Sequence, residues 1–188
     1  GGRAGVGMGE VDYSIATFAA TEYNQCAEER LVMIELDVPG RGLIQLEHLV
    51  TDVNGTIAKD GRLLEKIAKP LVGLKDRLQI HLITADTYGR QDNIDLMLAL
   101  KAVRLKGENQ AEQKAEYVRS LGAEKVVAIG NGANDALMLK EAAIGIAVMG
   151  DEGLAVEAIQ AADIFIHSAL DALYLLEFPT RLVATLRK

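Results

Sequence analysis

The sequence predicts an α/β fold, a three-layer sandwich with a central parallel sheet. From about residue 31, apolar runs of strand length alternate with helical stretches, and the links between them are short. The residues suited to chemistry fall repeatedly where a strand run ends. In open sheets of this kind ligands bind beyond the carboxyl ends of the strands.

Residues 1–32 stand apart from this pattern. They open with Gly-Gly-Arg rather than Met and carry a glycine-rich stretch at 5–9. A nucleotide-binding glycine loop follows a strand, and no strand run precedes this one. The segment is expected to be a poorly ordered tail or non-native extension, with a loose helix over 11–30 as an option. Met33 then opens the domain, 33–188.

Within that domain, residues 31–37 and 43–46 read as a hairpin around Pro39-Gly40-Arg41-Gly42. Residues 48–51 form a short apolar strand that ends at Asp52. Helical periodicity covers 63–77, with Pro70 as a kink or break. A strand at 80–84 precedes a helix over 92–103, capped by Asp92 or Asn93. The helix at 110–121 stops at Gly122. A strand at 125–129 and a helix at 133–142 follow. Segments 144–148, 154–160, 164–166 and 170–176 repeat strand and helix, and 179–187 reads as a basic helix.

Composition narrows the classes. A net charge of −7 argues against a sequence-independent nucleic-acid surface, which needs clustered Lys and Arg. One phosphate on a small molecule or macromolecule needs only local positive charge. Cys26 is alone, so no intramolecular disulfide can form. No uncharged apolar run reaches the roughly 18 residues of a membrane span, and no leader pattern is seen. A cytoplasmic location without membrane attachment is the expectation.

Four segments can carry chemistry. In 49–56, a strand delivers Asp52 into the turn Val53-Asn54-Gly55-Thr56. A carboxylate at a rigid strand end can act as a nucleophile toward phosphorus, though an Asn-Gly turn serves structure equally well. Thr84, followed by Ala85, ends a strand and offers a hydroxyl and a backbone amide to a phosphoryl oxygen; threonine is also a common strand terminator. Lys114 is a compact cation for a phosphate, or simply the solvated face of a helix. In Gly130-Asn131-Gly132-Ala133-Asn134-Asp135, a strand runs into a glycine turn rich in hard oxygen donors, suited to magnesium. The turn lacks the third glycine of a dinucleotide fingerprint.

In this order the four segments resemble the signature motifs of the haloacid dehalogenase (HAD) superfamily, over about residues 48–176. The stretch 130–139 is similar to the hinge motif of P-type cation pumps. The resemblance is closest to soluble P-type-ATPase-like hydrolases of that superfamily. It implies a Rossmannoid HAD-like sandwich and a Mg2+-dependent phosphohydrolase working through an aspartyl-phosphate. It implies catalytic roles for Asp52, Asn54 and Lys114, and phosphate contacts from Thr84, Ala85, Gly55 and Lys114. The metal ligands it implies are Asp52, Asn54, Asn131 and Asp135.

Two positions depart from the family pattern. Family phosphatases carry an acid–base Asp two residues after the nucleophile, where this chain has Asn54. An amide cannot shuttle a proton, and general acid–base help is worth roughly 10²–10⁴ in rate, so turnover is expected to be slow. The pumps, which keep a long-lived phosphoenzyme, also lack that Asp. Asn131 stands where the family supplies a magnesium carboxylate, which weakens metal binding. The alternative is a catalytically weakened protein with a phosphate-responsive binding or regulatory role.

The gaps from Thr56 to residue 80 and from Thr84 to Lys114 are too short for a cap domain. The expected fold is therefore capless, with an open site closed by a large substrate or by a neighbouring subunit of a homo-oligomer. His48, His81 and His167 are scattered beside strands and read as structural.

Overall fold

The computed structural model describes residues 33–86 and 88–188. The expectations for 1–32 lie outside the described residues. The chain begins with an antiparallel hairpin of β1 (Ile34–Val38) and β2 (Gly42–Leu46), in register from Ile34 opposite Leu46 to Val38 opposite Gly42. Strict alternation buries Ile34, Leu36 and Val38 and exposes Glu35 and Asp37.

The main sheet has six strands in the order β10-β9-β8-β3-β6-β7, all neighbours parallel. They are β3 (His48–Asp52), β6 (Gln79–Thr84), β7 (Val103–Arg104), β8 (Val126–Gly130), β9 (Ile144–Val148) and β10 (Ile164–Ile166). Every residue of β3, β8 and β9 is buried, as the near-continuous apolar runs require of central strands covered on both faces. The pleat divides them: Leu49, Val127 and Ile129 enter one core layer, Val50, Val126 and Ala128 the other.

The second layer is completed by Val118 of α3 (Gln110–Ser120), Met138 of α4 (Ala136–Glu141) and Ala158 of α5 (Val156–Ala161). The first is covered by Leu71 of α1 (Ala68–Gly73), Ile94 and Leu98 of α2 (Gln91–Leu98), Leu173 of α6 (Ala169–Glu177) and Leu182 of α7 (Pro179–Leu186). The β1–β2 hairpin joins that layer, and the backbone N–H of Lys188 donates to the Pro39 carbonyl at 3.0 Å.

Four local expectations need correction. The stretch 63–77 is not one helix. It opens with a two-stranded turn of β4 (Ala58–Lys59) and β5 (Arg62–Leu63), and α1 begins only at Ala68. Pro70 is the third residue of α1, where its missing N–H would have had no helical partner, so it starts the helix rather than breaking it. The helix expected over 92–103 ends at Leu98, where Ala99 turns left-handed (φ 49°), and Val103 goes to the sheet edge as β7. Neither Asp92 nor Asn93 caps it. The Asp86 carboxylate does so from five residues upstream, accepting from the Arg90 and Gln91 N–H groups at 3.1 and 3.2 Å.

The absence of a cap holds among the described residues. Only the β4–β5 turn, α1 and a 3-10 turn at Leu74–Asp76 lie between β3 and β6, and only α2 and β7 between β6 and α3. No described helix is long and apolar enough to cross a membrane.

Candidate active site

β3, β6 and β8 end side by side, and each ends in a polar residue or runs into one. Asp52 closes β3, Thr84 closes β6, and Asn131 follows Gly130 of β8. Above them opens a cavity of about 260 Å³ whose walls include Asp52, Asn54, Thr84, Ala85, Asn131 and Gly132.

Beneath Asp52 lies Lys114, wholly buried on α3. Its Nζ donates to Asp52 Oδ1 and to Asp135 Oδ1, each at 2.6 Å. A buried ammonium without a counter-charge is costly, and two carboxylates at contact distance offset that cost. This burial excludes a solvated helix face as the reason for Lys114. Burial alone would push the lysine's pKa down, but Asp52 and Asp135 override it and hold it above the ordinary value. Asp52 responds in the opposite sense. Burial first, then the neighbouring Asp135 charge, push it up to about 7, against the opposing pull of Lys114.

Asp135 is completely buried, with both oxygens engaged. Oδ1 takes the lysine, and Oδ2 accepts the backbone N–H groups of Asn131 and Gly132 at 2.9 and 2.8 Å. The geometry makes it the anchor of Lys114 and of the turn after β8.

The nucleophile turn is tightly built. Gly55 has φ 83°, and a Cβ there would stand 2.7 Å from the Asn131 amide, so only glycine lets the two loops approach. Thr56, which sequence reasoning did not single out, is buried between them. Its Oγ1 reaches Asn131 Oδ1 at 3.1 Å and Asp52 Oδ2 at 3.4 Å. The signal available in the sequence was its place after the Asn-Gly turn. Asn131 Nδ2 donates to the Gly153 carbonyl at 3.1 Å. Asn54 Nδ2 lies 3.4 Å from Thr84 Oγ1, which also accepts the Asp86 N–H at 2.9 Å. Asn54 Oδ1 is buried and has no hydrogen-bond partner. Asn134 Nδ2 donates to Gln110 Oε1 at 3.2 Å, a bond that leaves its amide oxygen unengaged.

Asn134, Tyr88, Gln110 and Glu152 complete the wall, the last three beyond what sequence reasoning identified. Those three come from loops and a helix start with no periodic signal. Among the described residues no three His, Cys, Asp or Glu side chains cluster as a metal site. A larger cavity, about 480 Å³, lies elsewhere, between Lys69 and Arg77 near α1 and Tyr174 and Glu177 of α6. Its charges are mixed and no buried polar group faces it, so the chemistry is assigned to the smaller one.

His48 and His81 are not scattered. His48 Nδ1 lies 3.2 Å from His81 Nε2, and His81 Nδ1 lies 2.9 Å from the Tyr117 hydroxyl. His48 opens β3, so this chain sits at the opposite end of that strand from Asp52.

No family model matches the chain. Over 64 residues it is 50% identical to the uncharacterized protein MJ0073 of Methanocaldococcus jannaschii, covering 34% of this chain and 69% of that protein. Over 114 residues it is 38% identical to a protein named as a copper-exporting P-type ATPase of Archaeoglobus fulgidus. That match covers 56% of this chain but spans only 13% of the pump. Among solved structures, a HAD superfamily (subfamily III A) hydrolase from Legionella pneumophila superposes with a TM-score of 0.53 at 17% identity, covering 89% of this chain and 96% of that one. The 3-deoxy-D-manno-octulosonate 8-phosphate phosphatase of Moraxella catarrhalis, solved with magnesium, phosphate and a KDO molecule, gives 0.56 at 16% identity, over 76% and 94%. These structural likenesses establish the fold, and the sequence matches add kinship with MJ0073 and with a segment of the pump. The chain shares the fold of haloacid dehalogenase superfamily hydrolases, and it belongs to one sequence family with MJ0073.

Proposed function

We propose that the protein is a slow, magnesium-dependent phosphohydrolase that acts on a phosphomonoester through an aspartyl-phosphate on Asp52. The observation that carries this reading is the buried Lys114 bridging Asp52 and Asp135 beneath an open polar cavity. Such an arrangement has no need of a cavity if its purpose is stability. It suits a carboxylate that must stay oriented while its charge changes.

In this reading an Asp52 oxygen attacks phosphorus and the ester oxygen leaves with the bonding pair. Lys114 holds the attacking carboxylate in one orientation and balances the charge of the phosphoryl group. Thr84 offers its hydroxyl and Ala85 its backbone N–H to the phosphoryl oxygens; the Gly55 N–H, expected to join them, instead donates to the Ala58 carbonyl at 2.7 Å. The oxygen donors gathered at the cavity fit a hard divalent cation: an Asp52 oxygen, the Asn131 amide oxygen that Thr56 also reaches, and the buried, unpartnered Asn54 Oδ1. Magnesium held there would supply charge neutralisation at the phosphate. Water then attacks the aspartyl-phosphate, and with Asn54 in place no carboxylate at that position draws its proton away.

A second reading, a phosphate-responsive regulatory protein with negligible turnover, is favoured by the two amides at 54 and 131. The deciding experiment is hydrolysis of an aryl phosphate with magnesium by the wild type and by Asp52→Asn. The expected result is measurable turnover that falls by on the order of 10³ or more in the variant. Equal silence of both proteins, with a phosphate-mimicking fluoride complex still bound, would select the regulatory reading.

A further inference from the structure

The cavity above Asp52 is uneven in charge. Among the described residues no lysine or arginine lines it, because Lys114 lies behind Asp52 rather than on the wall. The wall does carry a second carboxylate, Glu152, exposed at the rim while Asp52 is buried at the floor.

Glu152 is held there by the loop that bears it. Gly150 packs so closely on the nucleophile turn that a Cβ would stand 2.2 Å from the Gly55 carbonyl oxygen. Gly153 accepts from the Asn131 amide, and the Ala155 N–H donates to the Asn131 carbonyl at 2.9 Å. On the far side, Lys59 Nζ donates to Asp151 at 2.8 Å, and the Asp60 N–H lies 3.5 Å from Glu152 Oε1. The neighbouring residue of the same β4–β5 turn, Gly61, packs on Tyr88; a Cβ there would stand 2.9 Å from the Tyr88 Cβ. A carboxylate and an aromatic ring therefore flank one turn at the rim. The nearby cations are directed elsewhere, Lys59 to Asp151 and Arg90 to the Asp60 carbonyl.

In-line attack from the floor puts the leaving oxygen, and whatever it carries, on the rim side of the phosphorus. A protonated amine there meets an opposite charge beside an aromatic side chain, whereas a carboxylate meets the like charge of Glu152, with Lys59 and Arg90 held on Asp151 and on the Asp60 carbonyl. We infer that the site selects phosphomonoesters whose remainder carries an amine over those whose remainder carries a carboxylate, with Glu152 as the specificity-determining residue. The inference rests on the phosphohydrolase reading above.

The test compares three small esters, phosphoethanolamine, ethyl phosphate and phosphoglycolate, as substrates of the wild type, Glu152→Gln and Glu152→Lys. Calorimetric binding of each ester is measured alongside. A unit charge near contact in a water-like medium gives a preference of about tenfold in kcat/KM for phosphoethanolamine over phosphoglycolate. Glu152→Gln is expected to bring that ratio to within about threefold, and Glu152→Lys to invert it. Turnover with no charge discrimination, or with a ratio unmoved by either substitution, overturns the selection and leaves the phosphohydrolase reading standing. No turnover and no binding of any ester overturns both.

Discussion

Two residues at the site differ in how freely they can change. Asn54 has an amide oxygen without a partner and a single long contact from its nitrogen to Thr84, so a carboxylate can replace it with little rearrangement. Asn54→Asp is expected to restore a proton acceptor for the water step and to raise steady-state hydrolysis of an aryl phosphate by about 10²–10⁴. An unchanged rate would show that water attack is not the slow step. Lys114 has no such freedom. Lys114→Met keeps the volume but leaves Asp52 and Asp135 buried against each other, and removing one partner of a buried pair costs about 3–5 kcal/mol. Urea unfolding should report that loss, and adding Asp52→Asn to the same variant should recover part of it. If the double variant is no more stable than the single, like-charge repulsion is not the source.

At the scale of the element, the central strands were legible because a strand covered on both faces is a continuous apolar run, as at β3, β8 and β9. The short pieces were not. β4, β5 and β7 have two residues each, no more than one period of strand alternation; β4 fell in no expected element, and the apolar spacing of their neighbours drew Leu63 and Val103 into helices. The end of α2 hid for another reason, since Ala99 adopts φ 49° where glycine or asparagine would have signalled a stop. Because Ala99 is exposed, Ala99→Gly relieves a left-handed alanine at the cost of chain entropy, for a net gain of about 0.5 kcal/mol. A higher denaturation midpoint would bear this out, and a lower one would mean the neighbouring turn depends on the Cβ. The same contrast holds for the site. Asp52, Thr84, Lys114 and Asn131 stand in or beside regular elements and could be read from them. Tyr88 and Glu152 come from loops whose path only the packed structure reveals.

Across the whole molecule, a partly buried histidine pair and the buried Asp52 cluster, at opposite ends of β3, set opposing responses to pH. Burial, and then the charge of His48, lower the pKa of His81 to about 4, below its ordinary value near 6.5. The unfolded chain therefore binds a proton through that window that the folded chain refuses, so His81 makes stability rise with pH and acid erodes it. Asp52, raised to about 7, binds its proton more readily when folded and contributes stability at low pH that is lost as pH rises through 7. In His81→Gln the first slope is removed, and stability measured from pH 4 to 6.5 should fall less on acidification than in the wild type. Identical profiles would mean that the histidine chain titrates freely. The Lys114 bridge has one further bearing, on the order of folding. Its three members come from β3, from α3 and from the turn after β8, with Asp52 and Lys114 62 positions apart and Lys114 and Asp135 21 apart. No local segment can form it, and a partly folded chain that buried the lysine without both partners would be penalised. The bridge therefore closes only after the successive strand–helix units have docked, and binding of a phosphate mimic reports that assembly of the chain is complete.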